Sequence, residues 1–344
     1  MIQKVLQRIT KKLQKSEANP LLTDSQICHM KSFGDLNPDE IFYVIRQEST
    51  GRGFFSILSS VLCHLDIADK HNFVPVIDFE NFKNVYNESH AINGTFNSWE
   101  YYFEPLNHFT LKDVYRSKNV IFSDNGYPSG YDFSITTEKH LLKIFHKYIK
   151  YKPILTTAIE AYSRFLDEPV LGVHFRGQEM RTAPGHWFPP SKKQMAAVID
   201  KVLEKYHYPK IFVVSEDAGL LEFLKKRYPN KIISCDHYRT VHKNAYKEYP
   251  RQNHFYLLGL EVMVDMMLLS KCNSIIGCTS NVVTFARFLN NGMFESEIQI
   301  NNGPNSRYRP IAKVLWYLKN LLPARWGGFS VDDSSIIECK NLNG

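Results

Sequence analysis

The feature that most constrains this chain is an alternation that begins at Val170. Short apolar runs at 170–175, 211–214, 231–234 and 274–277 take turns with stretches whose apolar residues recur every three or four positions, at 193–206, 219–228, 254–270 and 281–288. The first kind of pattern predicts buried strands and the second amphipathic helices. Strands that alternate with helices pair in parallel through crossovers, and ligands of such sheets sit beyond the strands' carboxyl ends. An earlier βαβ unit is predicted from the apolar runs 41–45 and 74–78, which flank a helix marked by Phe54, Leu58, Val61, Leu65 and Ala68. At 344 residues and 44% hydrophobic content, the chain exceeds the size at which one core tends to split, so two domains are expected.

The strand ends carry the polar chemistry. In the run Val170 to Phe175, Val173 and Phe175 point to one face, while His174 and the following Arg176 point to the other. The next strand runs into Ser215, Glu216 and Asp217, and the last into Cys278, Thr279, Ser280 and Asn281. A hydroxyl at Thr279 or Ser280 would cap the helix that follows, and the free N–H groups beneath it could bind phosphate. Glu261 and Asp265 lie four residues apart on an otherwise apolar helix. One of them could pair with Arg251 or Arg287. A carboxylate there could also accept two N–H groups of a guanine. In the first unit, Gly51, Arg52 and Gly53 form a turn that reads as structural, with backbone N–H groups that could approach an anion. Trp99, Tyr101, Tyr102 and Phe103 read mainly as filling of an irregular loop.

Charge and cysteine usage bound the partners. An excess of 42 Lys and Arg over 35 Asp and Glu gives +7, which suits a nucleotide, an anionic lipid surface or nucleic acid. No nucleic-acid-binding module and no continuous basic face is evident. The six cysteines have neither Cys-x-x-Cys spacing nor a histidine pair at metal spacing, so they read as buried thiols and no metal site is expected. Residues 1–13 place Ile2, Val5, Leu6, Ile9 and Leu13 opposite Lys and Arg, and residues 308–326 mix Lys313, Lys319 and Arg325 with Val314, Leu315, Trp316, Tyr317, Leu318 and Leu321. Either basic amphipathic segment could rest on an anionic membrane or pack on the protein itself. Residues 1–15 lack the apolar centre of a signal peptide, so a cytoplasmic protein is expected, with peripheral contact to the inner face of the membrane as an option.

Three ordered blocks resemble the fucosyltransferase superfamily that includes the core α-1,6-fucosyltransferases, the nodulation fucosyltransferases and, more distantly, the protein O-fucosyltransferases. Gly172-Val173-His174-Phe175-Arg176 is similar to the family's Gly-Val-His-x-Arg strand. Ile211 to Asp217, followed by Leu220-Leu221 and Arg227-Tyr228-Pro229-Asn230, resembles the second block, and Asp265, Leu269-Ser270 and Cys278-Thr279-Ser280-Asn281 resemble the third. With the turn and helix after Gly51, the likeness spans most of residues 41–290. It implies an α/β chain of GT-B type, with two Rossmann-like domains facing a central cleft. The expected bounds are 1–165 for an acceptor-side domain with a linker helix, 166–315 for a nucleotide-sugar domain and 316–344 for a tail.

The same resemblance implies an inverting, metal-independent transfer of fucose or a related deoxy sugar from a GDP-sugar to a glycan or lipid-linked glycan, with no cofactor. Arg176 would hold the diphosphate, His174 and Asp265 the guanine, and Ser280 with Asn281 the phosphates. Thr279, Ser215, Glu216 and Asp217 complete the donor-side candidates, and Gly51, Arg52 and Gly53 are the acceptor-side ones. No Asp-x-Asp pair is present to hold a divalent ion, so fixed positive charge from Arg176 and the helix start would stabilise the leaving diphosphate. After the arginine the core enzymes carry a second arginine and then Thr-Asp-Lys, where this chain has Gly177-Gln178-Glu179-Met180. Glu179 could stand for the aspartate, and the lysine's charge has no counterpart. Glu179 and His186 are the candidates for the base, with Asp78 and Glu80 as others. The competing readings keep the fold with a heptose or N-acetylhexosamine donor, or make the chain a non-catalytic basic protein that binds membrane or nucleic acid.

Overall fold

Phe42–Ile45 (β1) is buried along its whole length, and all four of its residues are aromatic or β-branched in the way a central strand requires. It leads into the helix Phe54–Lys70 (α1), whose residues from Phe54 to Ala68 are almost all buried, and then into Val74–Ile77 (β2), which pairs with β1 in parallel. The expected βαβ unit is thus present. A computed structural model of the chain describes residues 30–131, 133, 138–240, 245–332 and 334–337; the basic helix expected over residues 1–13 lies outside them. By its internal contacts the chain divides into two compact units, Met1–Pro153 and Ile154–Gly344.

In the first unit a third strand, Val120–Phe122 (β3), joins the other edge of β1 to give the order β2-β1-β3. The region between β2 and β3 holds little regular structure beyond the helix Leu111–Val114 (α2), closed by a reciprocal cap between Thr110 and Asp113. Its order comes from aromatic packing. Trp99, Tyr101, Tyr102 and Phe103 are all buried, with Trp99 and Phe103 ring centroids 4.3 Å apart, so these rings do fill the core of the irregular segment. The helix Glu138–Tyr148 (α3) completes this unit.

After the helix Pro153–Tyr162 (α4), the second unit follows the predicted alternation closely. Val170–Phe175 (β4), Lys192–Tyr206 (α5), Lys210–Ser215 (β5), Ala218–Arg227 (α6), Ile232–Ile233 (β6), His254–Leu269 (α7), Ser274–Cys278 (β7) and Asn281–Asn290 (α8) succeed one another. Ser296–Ile300 (β8), the helix Arg309–Leu321 (α9) and Ser334–Ile337 (β9) follow. The sheet order is β6-β5-β4-β7-β8-β9, parallel except at β9, which runs antiparallel to β8. Residues 309–321 thus form one helix, and residues 334–337 supply an edge strand.

The core lies between β4, β5 and β7 and the helices α5 and α6, and includes Leu171, Val173, Phe175, Ile199, Val213, Leu224 and Ile276. Burial of each large apolar side chain contributes roughly 1.5–3 kcal/mol. Gly172 lies against the opposite layer: a Cβ there would meet Leu269 and Cys272 at 3.1 and 3.2 Å. Among the described residues, no helix is long and apolar enough to cross a membrane.

Candidate functional site

The strand order of the second unit reverses at β4. Its chain successor β5 lies on one side and β7, reached only after β5 and β6, lies on the other. At such a switch point the connections leave in opposite directions and open a crevice at the carboxyl ends of the strands. Arg176 follows β4 and Thr279 follows β7. The Arg176 guanidinium is half-buried and its Nη1 donates to the Thr279 carbonyl at 3.2 Å, so two residues 103 positions apart meet across the switch point.

The neighbours of Arg176 divide into groups that are available and groups that hold the site together. Ser280 caps α8, its Oγ accepting from the Val282 N–H at 3.3 Å, while Asn281 is exposed at the first helical position. Thr279 Oγ1 accepts from Gln299 Nε2 at 3.3 Å. Ser215 Oγ accepts from the Asp217 N–H, and the Asp217 carboxylate caps α6 through Leu220 N–H at 3.0 Å while pairing with Arg181 at 2.8 Å. Asp217, 1% exposed, therefore secures the start of α6 and the 3₁₀ turn Gln178–Arg181 that carries Glu179. His186 is exposed on the loop that follows, where its carbonyl accepts from Asn305 N–H at 2.7 Å.

Glu216 stands apart. Its carboxyl rests directly on Gly177, so closely that a Cβ at Gly177 would come within 1.9 Å of Oε1. Removal from water and the neighbouring Glu179 carboxylate push its pKa up to about 7, against the pull of Arg176. It is a proton-holding group near neutrality beside a fixed cation, a combination frequent at catalytic sites. His174 responds in the opposite direction. Burial, then the nearby Arg176, push its pKa down to about 3, so the ring is neutral, and its buried Nδ1 has no hydrogen-bond partner.

On α7 the two carboxylates separate in role. Glu261 is held by Arg251 through paired bonds of 2.6 and 2.7 Å, one of the alternatives the sequence left open. Arg287 instead lies 3.6 Å from Glu297. Asp265 Oδ1 lies 2.9 Å from His237 Nδ1, without the alignment of a hydrogen bond. Cys235 joins this pair: its thiol is 1% exposed and its pKa is raised by burial and by Asp265. The ligand atoms of Cys235, His237 and Asp265 all lie within 4.8 Å of one another, so this group could hold a metal ion. In the sequence this group is marked by the Cys-x-His spacing of Cys235 and His237, which is not a Cys-x-x-Cys pattern. The four described cysteines, Cys63, Cys235, Cys272 and Cys278, are all buried and unbridged.

In the first unit Arg52 turns inward. It donates to Gln47 Oε1, to Ser56 Oγ at 3.2 Å and to the Ser56 carbonyl at 2.6 Å, and lies over the Tyr127 ring. Gly51 and Gly53 are exposed on either side, with Gly53 preceding α1. Asp78, fully buried, accepts from Asn81 N–H, Asn81 Nδ2 and Tyr115 O–H and serves its own turn.

No family model matches the chain, and no curated protein matches it. Solved structures do. The fucosyltransferase NodZ from Bradyrhizobium is 16% identical with a TM-score of 0.52, and the match covers 77% of this chain and 98% of that one. Its selenomethionine form is 15% identical with a TM-score of 0.54, over 88% of this chain and 99% of that one. A NodZ α-1,6-fucosyltransferase soaked with GDP-fucose is 17% identical with a TM-score of 0.52, over 76% and 95% of the two chains. Likeness at this identity establishes architecture, and the architecture is the α/β fold of GT-B type found in the fucosyltransferase NodZ.

Proposed function

We propose that this protein is an inverting, metal-independent glycosyltransferase that moves fucose or a related deoxy sugar from a GDP-sugar to a glycan acceptor. The observation that carries the reading is the Arg176 guanidinium tied to the Thr279 carbonyl at the switch point of the sheet, next to the capped start of α8. A permanent cation beside helix N–H groups suits a diphosphate. In the reaction the acceptor hydroxyl oxygen attacks the anomeric carbon as the bond from that carbon to the phosphate oxygen breaks. The electron pair leaves with GDP, whose growing charge Arg176 offsets, and the hydroxyl proton passes to a base.

Glu179 and His186 are candidates for that base, and Glu216 joins them because its pKa of about 7 matches neutral pH. His174 and Asp265 are assigned to the guanine, Ser280 and Asn281 to the phosphates, and Gly51, Arg52 and Gly53 to the acceptor side. NodZ has been crystallised with GDP and soaked with GDP-fucose, which supports trying these ligands first.

The test is thermal stabilisation by nucleotides, followed by a hydrolysis panel of nucleotide sugars. GDP at millimolar concentration is expected to raise Tm, EDTA to leave that rise unchanged, and Arg176→Ala to abolish it and most turnover. A folded wild-type protein that ignores GDP, or an Arg176→Ala protein that responds as wild type does, refutes the assignment.

A further inference from the structure

The chain's positive charge is concentrated in two short segments. Residues 303–331 contain Arg307, Arg309, Lys313, Lys319 and Arg325 with no acidic residue, and residues 1–15 contain Lys4, Arg8, Lys11, Lys12 and Lys15, again with none. The remainder of the chain is acidic on balance. The first of these segments is built on α9, which attaches to the second unit by one side only. Ala312 and Trp316 are buried; the Trp316 indole donates to the Pro189 carbonyl at 2.8 Å and Arg181 lies over its ring.

Among the described residues, nothing covers its outer side, which is apolar. Ile311, Val314, Leu318 and Leu321 follow one another at helical spacing, and Val314, Leu318 and Leu321 are 52%, 52% and 79% exposed. Tyr317 adds to the edge, and Trp326, 63% exposed, stands just beyond the helix. Scattered exposed apolar residues need no explanation, but a contiguous stripe on a single helix does. An apolar stripe with basic flanks and exposed aromatic residues has the composition of a helix lying in a membrane interface.

We propose that the outer face of α9 docks this protein on an anionic lipid surface, with Val314, Leu318 and Leu321 entering the acyl boundary and Arg307, Arg309, Lys313 and Arg325 meeting headgroups, while Lys319, whose ammonium donates to the Gly327 carbonyl, adds its charge from the helix flank. Charge complementarity selects this occupant. The N-terminal segment is itself cationic and is repelled by α9, whereas anionic lipid attracts both. A second copy of the chain would bring the same five cations to the interface. The proposal is independent of the sugar chemistry, because its readout is binding to lipid.

The test is co-sedimentation of the full-length protein with phosphatidylcholine vesicles, with and without phosphatidylglycerol. Binding is expected only with the anionic lipid and is expected to weaken as salt shortens the Debye length below about 10 Å. Val314→Glu with Leu321→Glu, and separately Lys313→Glu with Arg325→Glu, are each expected to weaken binding about tenfold or more. All four positions are exposed, so Tm and the response to GDP are expected to stay as in wild type. Wild-type binding retained by both variants, equal binding to neutral vesicles, or no vesicle binding at all overturns the proposal. So does a wild-type dimer that Val314→Glu with Leu321→Glu dissociates while vesicle binding is absent.

Discussion

Glu216→Gln is the most informative single substitution, because it separates the price of burying a carboxyl from the chemistry that burial permits. The wild-type group has an ordinary pKa of 4.5 when unfolded and about 7 when folded. A carboxyl raised in this way favours folding below its unfolded pKa, and that contribution is lost as pH rises through the folded value. Between those limits the folded chain binds more protons than the unfolded one, so stability falls as pH rises. The shift corresponds to about 3 kcal/mol once ionisation is complete. Glutamine resembles the protonated acid and cannot ionise, so it is expected to match wild type at about pH 4 and exceed it by about 3 kcal/mol at about pH 9. For a unit of this size that is roughly 6–12 °C in Tm. Circular dichroism melts across the range measure it, and turnover measured in parallel is expected to fall in the variant. A Tm difference that does not change with pH, or a variant less stable at high pH, refutes the reasoning.

Two further substitutions test the packing around the site. Gly177→Ala leaves the backbone comfortable at φ −73° but drives a methyl into the Glu216 carboxyl, so it is expected to cost about 1–3 kcal/mol. Adding Glu216→Ala should restore most of that loss in urea denaturation; an undiminished cost in the double variant would mean the clash lies elsewhere. Arg251→Ala leaves Glu261 partly buried without its paired donor and is expected to destabilise by about 3 kcal/mol, with Arg251→Ala plus Glu261→Gln recovering part of it. Equal stability of wild type and Arg251→Ala would show that the pair contributes nothing net.

The amino-acid order alone was enough for the βα alternation of the second unit, because periods of two and 3.6 residues are local properties of the backbone. The run Val170 to Phe175 is fully buried, and Asp217 and Ser280 cap helices that start where a polar residue precedes an apolar period. Short or edge elements were less legible. The strand expected over 231–234 is only Ile232–Ile233, and β9 was not foreseen, since an edge strand of Ser and Ile has little periodicity to read.

What only the tertiary structure decided was which distant groups share a surface. Strand order sets β7 directly beside β4, on the edge opposite β5, and this brings Thr279 to Arg176. Burial of the Glu216 carboxyl, with the Glu179 carboxylate nearby, pushes the pKa of an ordinary acidic residue up to about 7, because that pKa reports its surroundings rather than its position in the chain. Likewise, Arg251 rather than Arg287 reaches Glu261, and His237 and Cys235 meet Asp265. Periodicity marks a helix as amphipathic, but only packing determines whether its apolar side is covered, and for α9 that side has no neighbour among the described residues.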